Sequence, residues 1–325
     1  MPRVICLGEV LVDQIAEDIG VPYEQVSSWQ PFFGGAPANV ACGLAKLGTP
    51  VSLISCVGQD ATGADLLKQL GAAGVETSGV QVHPEAVTRQ VYVTRDAQGD
   101  RSFDRFNGDE NTVFADTLMS AEHLPEHLFA DAKFLVLGTL GLSSPQTSRA
   151  IGRALKLAEQ YFVKVVLDVN WRPMFWKQPE QIYRLLPLLL KHTDFVKMTE
   201  DEASLLMRLK SPAAIAQAYN HLEGILITNS DKDCRYYLGE KQGKHPVYPV
   251  HSIDTTGAGD AFLAAFIHRI YHRPLTNLLD AKFAREVISY ACAAGALTTL
   301  EMGAIAAQPS DQYIREFLAM REVKH

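Results

Sequence analysis

Short apolar runs alternate with amphipathic stretches along most of the chain. The runs span four to nine residues and are continuous, not interleaved with polar residues, which is typical of strands buried on both faces of a parallel sheet. They are Val4–Val12, Val51–Val57, Phe134–Leu140, Val163–Val169, Phe195–Met198 and Gly224–Thr228. Helical patterns lie between them, such as Ala38–Leu47 closed by Gly48 and Gly63–Leu70 closed by Gly71. The alternation predicts an α/β fold with a doubly wound, mostly parallel sheet flanked by helices.

One segment interrupts this alternation. Two alternating stretches, Gln90–Thr94 and Arg101–Phe106, flank the polar segment Asp96–Asp100, a pattern typical of a hairpin with a longer loop. Residues 15–33 also lack a helical pattern. We interpret these pieces, about 14–33 and 88–106, as a small β-sheet lid over the carboxyl edge of the main sheet. The lid is predicted to be inserted in a single domain spanning residues 1–325.

Composition narrows the class of protein. With 325 residues, 47% hydrophobic and 21% charged, the chain fits a globular protein of one large domain or two modest ones. A net charge of -7 without a basic block argues against a nucleic-acid or membrane-surface partner. No apolar run approaches the ~20 residues needed to span a bilayer, and the amino terminus becomes acidic too early for a signal peptide. We therefore expect a cytoplasmic protein that binds any anionic ligand through locally placed donors.

Cysteine and histidine patterns do not suggest a metal site. The five cysteines are scattered, without a Cys-x-x-Cys pair, and are predicted to be buried, reduced thiols. His268 and His272 lie four residues apart on a predicted helix, but no third ligand accompanies them. We expect both histidines to be solvated.

The segment Asp254–Phe262, Asp-Thr-Thr-Gly-Ala-Gly-Asp-Ala-Phe, carries the clearest chemical signal. It opens an amphipathic helix, so Gly257, Ala258 and Gly259 present unsatisfied backbone N–H groups at a positive helix end, where an anion can bind. Asp260 follows in the first turn, where a base would lie beside a transferred phosphoryl group. The alternative is that Asp260 merely stabilises the helix dipole. The segment is not a Walker A loop, because no Lys-Ser/Thr follows the glycines.

A second segment, Gly34–Ala41, reads Gly-Gly-Ala-Pro-Ala-Asn-Val-Ala. Paired glycines before Pro37 predict a tight loop that enters a helix. Asn39 would lie in the first turn, where its amide can both donate to and accept from a polyhydroxy ligand. Alternatively, Asn39 is a local cap of its own helix.

Together these two segments, about 220 residues apart, resemble the two motifs of the ribokinase-like (PfkB) family of carbohydrate kinases. The resemblance extends from Gly8–Asp13 to Gly303–Ala306. Within the family, the chain is similar to bacterial and plant fructokinases through Gly8–Asp13, Gly35–Asn39 and Asp168–Trp176. The resemblance implies a ribokinase-like fold with a β-lid and ATP- and magnesium-dependent phosphorylation of a ketose, foremost fructose at O6. It also implies a monovalent cation, possible in this family as K⁺, and a homodimer formed through the lid.

The resemblance also implies roles for individual residues. Asp260 matches the general base and Gly257, Ala258 and Gly259 the anion hole. Residues matching sugar-contacting positions are Asp13, Gly34, Gly35, Asn39, Asn170 and Arg172. Residues matching nucleotide-side positions are Lys197, Thr228, Thr256, Gly257 and Gly259. Glu202 matches a carboxylate that acts through magnesium-bound water, and Asp254 a position beside the monovalent cation.

Three of these positions also have a rationale from the sequence alone. Asp13 is expected at a strand end, where a carboxylate accepts hydrogen bonds from two adjacent sugar hydroxyls. Asn170 and Arg172 follow a predicted strand, at the edge where ligands of open α/β sheets bind. The Arg172 fork suits a phosphate, although a solvated loop arginine is the alternative.

Three departures from the family pattern fall on the nucleotide side. Thr199 replaces the Asn of Asn-x-x-Glu, residues 228–233 lack the two glycines of Thr-x-Gly-x-x-Gly, and Cys292 replaces a common Asn. Two other functions therefore stay open at this point. One is a family kinase for 2-keto-3-deoxygluconate, ribose or a nucleoside, and the other is a sugar-binding relative without catalytic activity.

Overall fold

The computed structural model of the chain describes residues 3–96, 101–230 and 232–322. Over these residues the strands are β1 (Arg3–Leu7), β2 (Leu11–Ala16), β3 (Trp29–Gly34), β4 (Val51–Gly58), β5 (Glu76–His83), β6 (Gln90–Arg95), β7 (Arg101–Phe106), β8 (Ala132–Gly138), β9 (Lys164–Asp168), β10 (Phe195–Thr199), β11 (Gly224–Thr228), β12 (Cys234–Leu238) and β13 (Lys241–His245). The α-helices are α1 (Ala36–Lys46), α2 (Ala61–Ala72), α3 (Glu126–Ala130), α4 (Pro145–Gln160), α5 (Ile182–Leu190), α6 (Glu200–Glu202), α7 (Pro212–Ala218), α8 (Ala258–Tyr271), α9 (Ala281–Thr298) and α10 (Asp311–Glu322).

The main sheet has the strand order β13-β12-β11-β10-β9-β8-β1-β4-β5. Every neighbouring pair is parallel except β11 with β12 and β12 with β13. The predicted mostly parallel sheet is therefore confirmed. Because the chain winds away from β1 in both directions, the crevice at the carboxyl ends of β1 and β8 is where such sheets bind ligands.

Alternating side chains of the central strands face two hydrophobic cores. Val4 and Cys6 of β1 pack with α1, α8 and α9, whereas Ile5 and Leu7 pack with α4 and α5 on the other face. Continuous apolar runs are required because both faces are covered. The helices α8 and α1 therefore lie on the same side of the sheet, which brings the two glycine-containing segments together.

The smaller sheet has the order β3-β2-β6-β7. Strands β6 and β7 pair antiparallel as predicted. The turn predicted at Asp96–Asp100 falls mostly on residues 97–100, outside the described residues.

A buried ion pair ties this sheet to the rest of the chain. Just before β6, Arg89 donates to both oxygens of Asp116, at 3.0 to 3.2 Å. Its guanidinium carbon lies 4.9 Å from the ring centroid of Phe106, at the end of β7, and 5.3 Å from that of Phe175, on the segment after β9. The smaller sheet therefore packs against the segment that follows β9.

Two predicted element boundaries are wrong. The run Val4–Val12 splits into strands of different sheets, because the chain turns at Gly8, where a Cβ atom would lie 2.5 Å from the Pro37 ring. Gly71 lies inside α2, and the chain turns instead at Gly74, whose φ of 87° favours glycine.

The remaining predictions on cysteines and histidines have mixed outcomes. All five cysteines are buried free thiols, as predicted. His268 is not solvated, because it lies between α8 and α9, stacked on Tyr290 and bonded through Nδ1 to Thr49. His272 is exposed, as predicted. Among the described residues, no helix combines the length and the apolar character needed to cross a membrane.

Candidate active site

The amino terminus of α8 forms the centre of the candidate site. Gly257 caps the helix with a φ of 76°, a conformation that favours glycine. Within the described chain, the N–H groups of Gly257, Gly259 and Asp260 have no hydrogen-bond acceptor. The prediction of an open N–H group is wrong for Ala258, because this group donates to the carbonyl of Thr255 at 3.3 Å. These three N–H groups, at the positive end of a 14-residue helix, form an arrangement suited to an anion.

Asp260 lies in the first turn of α8 and is 8% exposed. Asn39, in the first turn of α1, donates from Nδ2 to Oδ2 of Asp260 at 2.8 Å. Burial raises the pKa of Asp260, while Lys197, Asn39 and Arg172 act to lower it. The carboxylate is thus a desolvated acceptor whose ionised form is supported by neighbouring donors.

Asn39 is not a cap of its own helix, so that alternative is wrong. Gly35 caps α1, and the Asn39 amide reaches across 221 residues of sequence to Asp260. The opposite end of this amide, Oδ1, is buried and has no hydrogen-bond partner among the described residues. A buried acceptor without a donor is costly, and a ligand hydroxyl would satisfy it. Asn39 can therefore link the Asp260 carboxylate to a bound ligand that carries a hydroxyl group.

A buried cation faces the same helix terminus. Lys197, near the end of β10, donates from Nζ to both oxygens of Asp168, at 2.9 and 3.1 Å. The register of β9 and β10 places these two residues side by side. Burial opposes the charged amine, but Asp168, Asp260 and Glu202 outweigh it and raise the pKa of Lys197. A Cβ atom at Gly259 would lie 2.8 Å from Nζ, so the glycine leaves the space that the ammonium group occupies.

Glu202 organises two loops at the sheet edge. Its Oε2 accepts from the N–H of Thr199, whose Oγ1 in turn accepts from the N–H of Glu202, a complete capping box. Its Oε1 accepts from the N–H of Trp171 at 2.7 Å. The threonine that replaces the expected asparagine thus fixes the Glu202 carboxylate and, through Trp171, the segment that carries Arg172.

Residues predicted to contact sugar fall in two groups. Asp13 is not at a strand end but third in β2, in the smaller sheet, because the first apolar run splits. It is close to Gly34, where a Cβ atom would lie 2.8 Å from Asp13 Oδ2. Gly35 follows directly and starts α1. Asp13, Gly34 and Gly35 therefore line one approach to Asn39 and Asp260.

The second group follows β9. Asn170 adopts a φ of 35°, and Arg172 is exposed yet close enough to Asp260 to act on the pKa of that carboxyl group. Arg172 therefore faces the site, but its side chain keeps the solvent access of a loop arginine.

The loop before α8 is braced by Asp254. Its Oδ1 accepts from the N–H and hydroxyl of Thr256, at 3.0 and 2.8 Å, and its Oδ2 accepts from the N–H of Gly303 at 2.9 Å. Asp254 is 7% exposed. This carboxylate holds the loop against the segment after α9.

The residues predicted on the nucleotide side do not form a single cluster. Thr228 ends β11, and its hydroxyl donates to the Met198 carbonyl at 3.4 Å. Asp233 forms an ion pair with Lys244 at 3.0 Å, so its charge is partly neutralised. Cys292 is buried. Residue 231 of the altered loop lies outside the described residues.

Sequence reasoning missed three residues that shape the site. Asp168 holds Lys197, Glu9 accepts from the N–H of Ala36 at 3.1 Å, and Gln308 donates to the carbonyl of Asn39 at 2.8 Å. Only Asp168 had a usable signal, because it is a carboxylate near the end of the predicted strand Val163–Val169, in the segment that includes Asn170. The contacts of Glu9 and Gln308 depend on tertiary placement.

The carboxylates of Glu202 and Asp168 fit a magnesium ion that binds together with a nucleotide. No group of three metal-binding side chains occurs among the described residues, and magnesium in kinase sites is held by one or two carboxylates together with phosphates and waters. Glu202 and Asp168 are close enough for their charges to act on each other. Each carboxylate oxygen of Glu202 accepts one backbone N–H and has a further lone pair for a metal-bound water.

Comparisons with known proteins identify the family and the fold. A family model described as "pfkB family carbohydrate kinase" matches residues 1–311. Probable fructokinase-5 of Arabidopsis thaliana is 31% identical over 312 residues, covering 95% of each chain. The crystal structure of fructokinase with bound ATP from Xylella fastidiosa has a TM-score of 0.89 at 26% identity, covering 98% of this chain and 99% of that one. A putative ribokinase II from E. coli, in complex with ATP and Mg²⁺, has a TM-score of 0.87 at 29% identity, covering 98% and 100%.

Proposed function

The chain belongs to the pfkB family of carbohydrate kinases, and we propose that it transfers the γ-phosphoryl group of ATP to O6 of fructose. The plant fructokinase and the ATP-bound bacterial fructokinase that it resembles support the choice of sugar and donor. One observation carries the proposal. Asp260 is buried in the first turn of α8, between the open N–H groups of that helix and the Asn39 amide.

We propose that the sugar binds between the smaller sheet and α1. Asp13, Gly34 and Gly35 form one wall, and Asn39 accepts a sugar hydroxyl through its unpaired Oδ1. Because Nδ2 of the same amide is bonded to Asp260, this contact places a neighbouring sugar hydroxyl near the carboxylate. Proximity of this kind replaces a bimolecular encounter with an oriented one.

In the transfer step, Asp260 accepts the proton of the attacking hydroxyl. The N–H groups of Gly257 and Gly259, together with Lys197, stabilise charge on the transferred phosphoryl oxygens. Asp168 keeps Lys197 in place and Arg172 supplies a second cation from the loop after β9. Thr228 and Thr256 are proposed to contact the remaining phosphates.

A magnesium ion bound together with the nucleotide would neutralise part of the phosphate charge. We propose that Glu202 and Asp168 hold its waters. A monovalent cation is proposed beside Asp254, where the carboxylate already organises the loop before α8. Replacing potassium by sodium should then lower activity, and equal activity in both salts would argue against this site.

The oligomeric state and the cellular compartment of the protein are proposed from two different observations. Tyr23, Trp29 and Tyr92 form an aromatic cluster on the smaller sheet, with Trp29 and Tyr92 centroids 4.9 Å apart. We propose that this face pairs with a second copy, to be tested by light scattering of the wild type and Trp29→Ser. The buried free thiols support a reducing, cytoplasmic compartment.

The proposed activity is tested by coupled ADP release with fructose, ribose, 2-keto-3-deoxygluconate and a nucleoside in parallel. We expect kcat/KM for fructose to exceed that for the other acceptors by at least about tenfold, since even a difference of one methylene group between substrates can be worth that much. The same assay without sugar measures background ATP hydrolysis. A higher kcat/KM for another acceptor would contradict the sugar assignment, and no sugar-dependent ADP release would contradict the kinase assignment.

A further inference from the structure

A groove far from the candidate active site lies between β13 and the first turns of α9. It encloses about 480 Å³, and its walls include Tyr236, Lys241, Gly243, Lys244 and Arg285. That volume falls in the range of about 300–1,000 Å³ of small-molecule sites. Nothing in the proposed kinase mechanism uses these residues.

The groove is positive in a chain whose net charge is -7. Lys241 donates to the carbonyl of Leu279 at 2.9 Å, which fixes its ammonium group at the rim. Lys244 pairs with Asp233. Arg285 has no hydrogen bond or ion pair with any residue that the structure describes. The groove therefore contains the Arg285 guanidinium, which is available to a ligand, beside the ammonium groups of Lys241 and Lys244.

The helix α9 adds to this field. It is 18 residues long and begins at Ala281, which lines the groove together with Ala284. The amino terminus of a helix carries a partial positive charge and favours anions. The Asp280 carboxylate is bonded to the N–H of Lys282 as the helix cap, so part of this field is already neutralised, and the cations are needed as well.

An independent feature is the Tyr236 hydroxyl. Tyr236 is 4% exposed, yet its hydroxyl has no hydrogen-bond partner in the described part of the chain. A Cβ atom at Gly243 would lie 2.2 Å from Tyr236 Cζ and 2.3 Å from its hydroxyl oxygen. The ring therefore passes under Gly243, and its hydroxyl lies at the groove. The ring is buried, but the hydroxyl oxygen is not one of the fully buried polar atoms that lack a partner, so it opens into the groove and can donate a hydrogen bond to a bound acceptor.

We infer that this groove binds a small organic phosphate. The Arg285 fork matches two phosphate oxygens, the Tyr236 hydroxyl donates to a third, and Lys241 and Lys244 supply charge at the rim. The alanines of α9 leave room for the carbon skeleton of the ligand. A carboxylate ligand would use fewer of these donors.

This site is separate from the one at α8. Gly295 of α9 lies against Ala258, where its Cβ atom would be 3.1 Å from the carbonyl oxygen. Arg285 is ten residues earlier on the same helix, about 15 Å away at 1.5 Å per residue. The active-site anion and the groove ligand therefore bind at opposite ends of α9.

Calorimetric titration of the full-length protein with inorganic pyrophosphate tests the inference. The titration is done with saturating magnesium and a non-hydrolysable ATP analogue, so that the active site is occupied. We expect saturable binding that Arg285→Gln weakens at least about tenfold and Tyr236→Phe a few-fold, as for loss of charged and neutral hydrogen bonds. Lys282→Gln, which removes a neighbouring α9 charge outside the groove, should change affinity less than about twofold.

Several outcomes would overturn the inference. These are no pyrophosphate binding while the analogue is bound, equal weakening by Arg285→Gln and Lys282→Gln, or citrate binding as tightly as pyrophosphate. Thermal unfolding of Arg285→Gln, whose side chain is exposed, shows that the variant is folded. The kinase assay is independent of these results, so the two proposals can fail separately.

Discussion

Asn39→Ala removes the amide that joins the sugar side of the site to the candidate base. The Nδ2 donor lies 2.8 Å from Asp260 Oδ2, and the Asn39 side chain is buried. A hydrogen bond to a charged group contributes about 1.5–3 kcal/mol, which corresponds to about 1–2 pKa units at 1.36 kcal/mol per unit. Because Asn39 acts to lower the pKa of Asp260, its removal should raise that pKa.

The assay is the pH dependence of kcat/KM for the sugar, which reports the pKa of the base in the free enzyme. We expect the acid limb of Asn39→Ala to move up by about 1–2 units. The sugar KM should rise by a few-fold to about tenfold, since one neutral hydrogen bond is lost. Asn39→Asp places a second carboxylate beside the first and should move the acid limb further upward, because like charges raise the pKa of one of the pair.

The exposed residue Asn111 provides the matched control, and Asn111→Ala should leave both the limb and the KM unchanged. Thermal unfolding of each variant separates loss of fold from loss of function. An unmoved acid limb with a raised sugar KM would refute the reasoning that Asn39 acts on Asp260. An unchanged profile and an unchanged KM would remove Asn39 from the site altogether.

The other predictions concern stability and the anion hole. Burial raises the pKa of Glu9 to about 7 from 4.5, so the folded protein holds this proton more tightly and stability falls as pH rises through that range. Glu9→Gln should therefore stabilise the protein by up to about 3 kcal/mol at pH 8 and much less at pH 5, and equal changes in urea unfolding at both pH values would contradict this. Asp168→Asn leaves the buried Lys197 charge unpaired and should lower the unfolding free energy by about 3–5 kcal/mol, with most of it restored by adding Lys197→Met; a stable single variant would speak against the pair. Gly259→Ala would place a Cβ atom 2.8 Å from Lys197 Nζ and should raise the ATP KM, while Gly152→Ala, where the added Cβ meets no atom within 4 Å, should not.

Local sequence patterns predicted the helix and the hairpin on which several site residues depend. Gly257 and the apolar spacing after it place the start of α8 at Ala258, because helix initiation depends on nearby residues. The hairpin β6–β7 was predicted for the same reason. The first apolar run was misread, since nothing in a continuous run of strand-forming residues shows that the chain changes sheets at Gly8.

Contacts between distant segments required the structure. Asn39 and Asp260 are 221 residues apart, and only the packing of α1 beside α8 brings them together. Asp168 ends β9 and Lys197 lies within β10, and the adjacency of these two strands depends on the sheet order. Sequence patterns identify each of these four residues separately. The role of each residue depends on the charge or hydrogen bond of its partner, which only the structure shows.

The central claim is that Asp260 is the base of a sugar kinase, and Asp260→Asn tests it most directly. The variant keeps the size of the side chain and its place beside Asn39 but cannot accept the proton. Calorimetric fructose binding and kcat from ADP release are measured on the same preparation. We expect fructose affinity within a few-fold of wild type and a kcat lower by about 10²–10⁴, the contribution of a positioned general base. A kcat close to that of the wild type, with fructose still bound, would contradict the account.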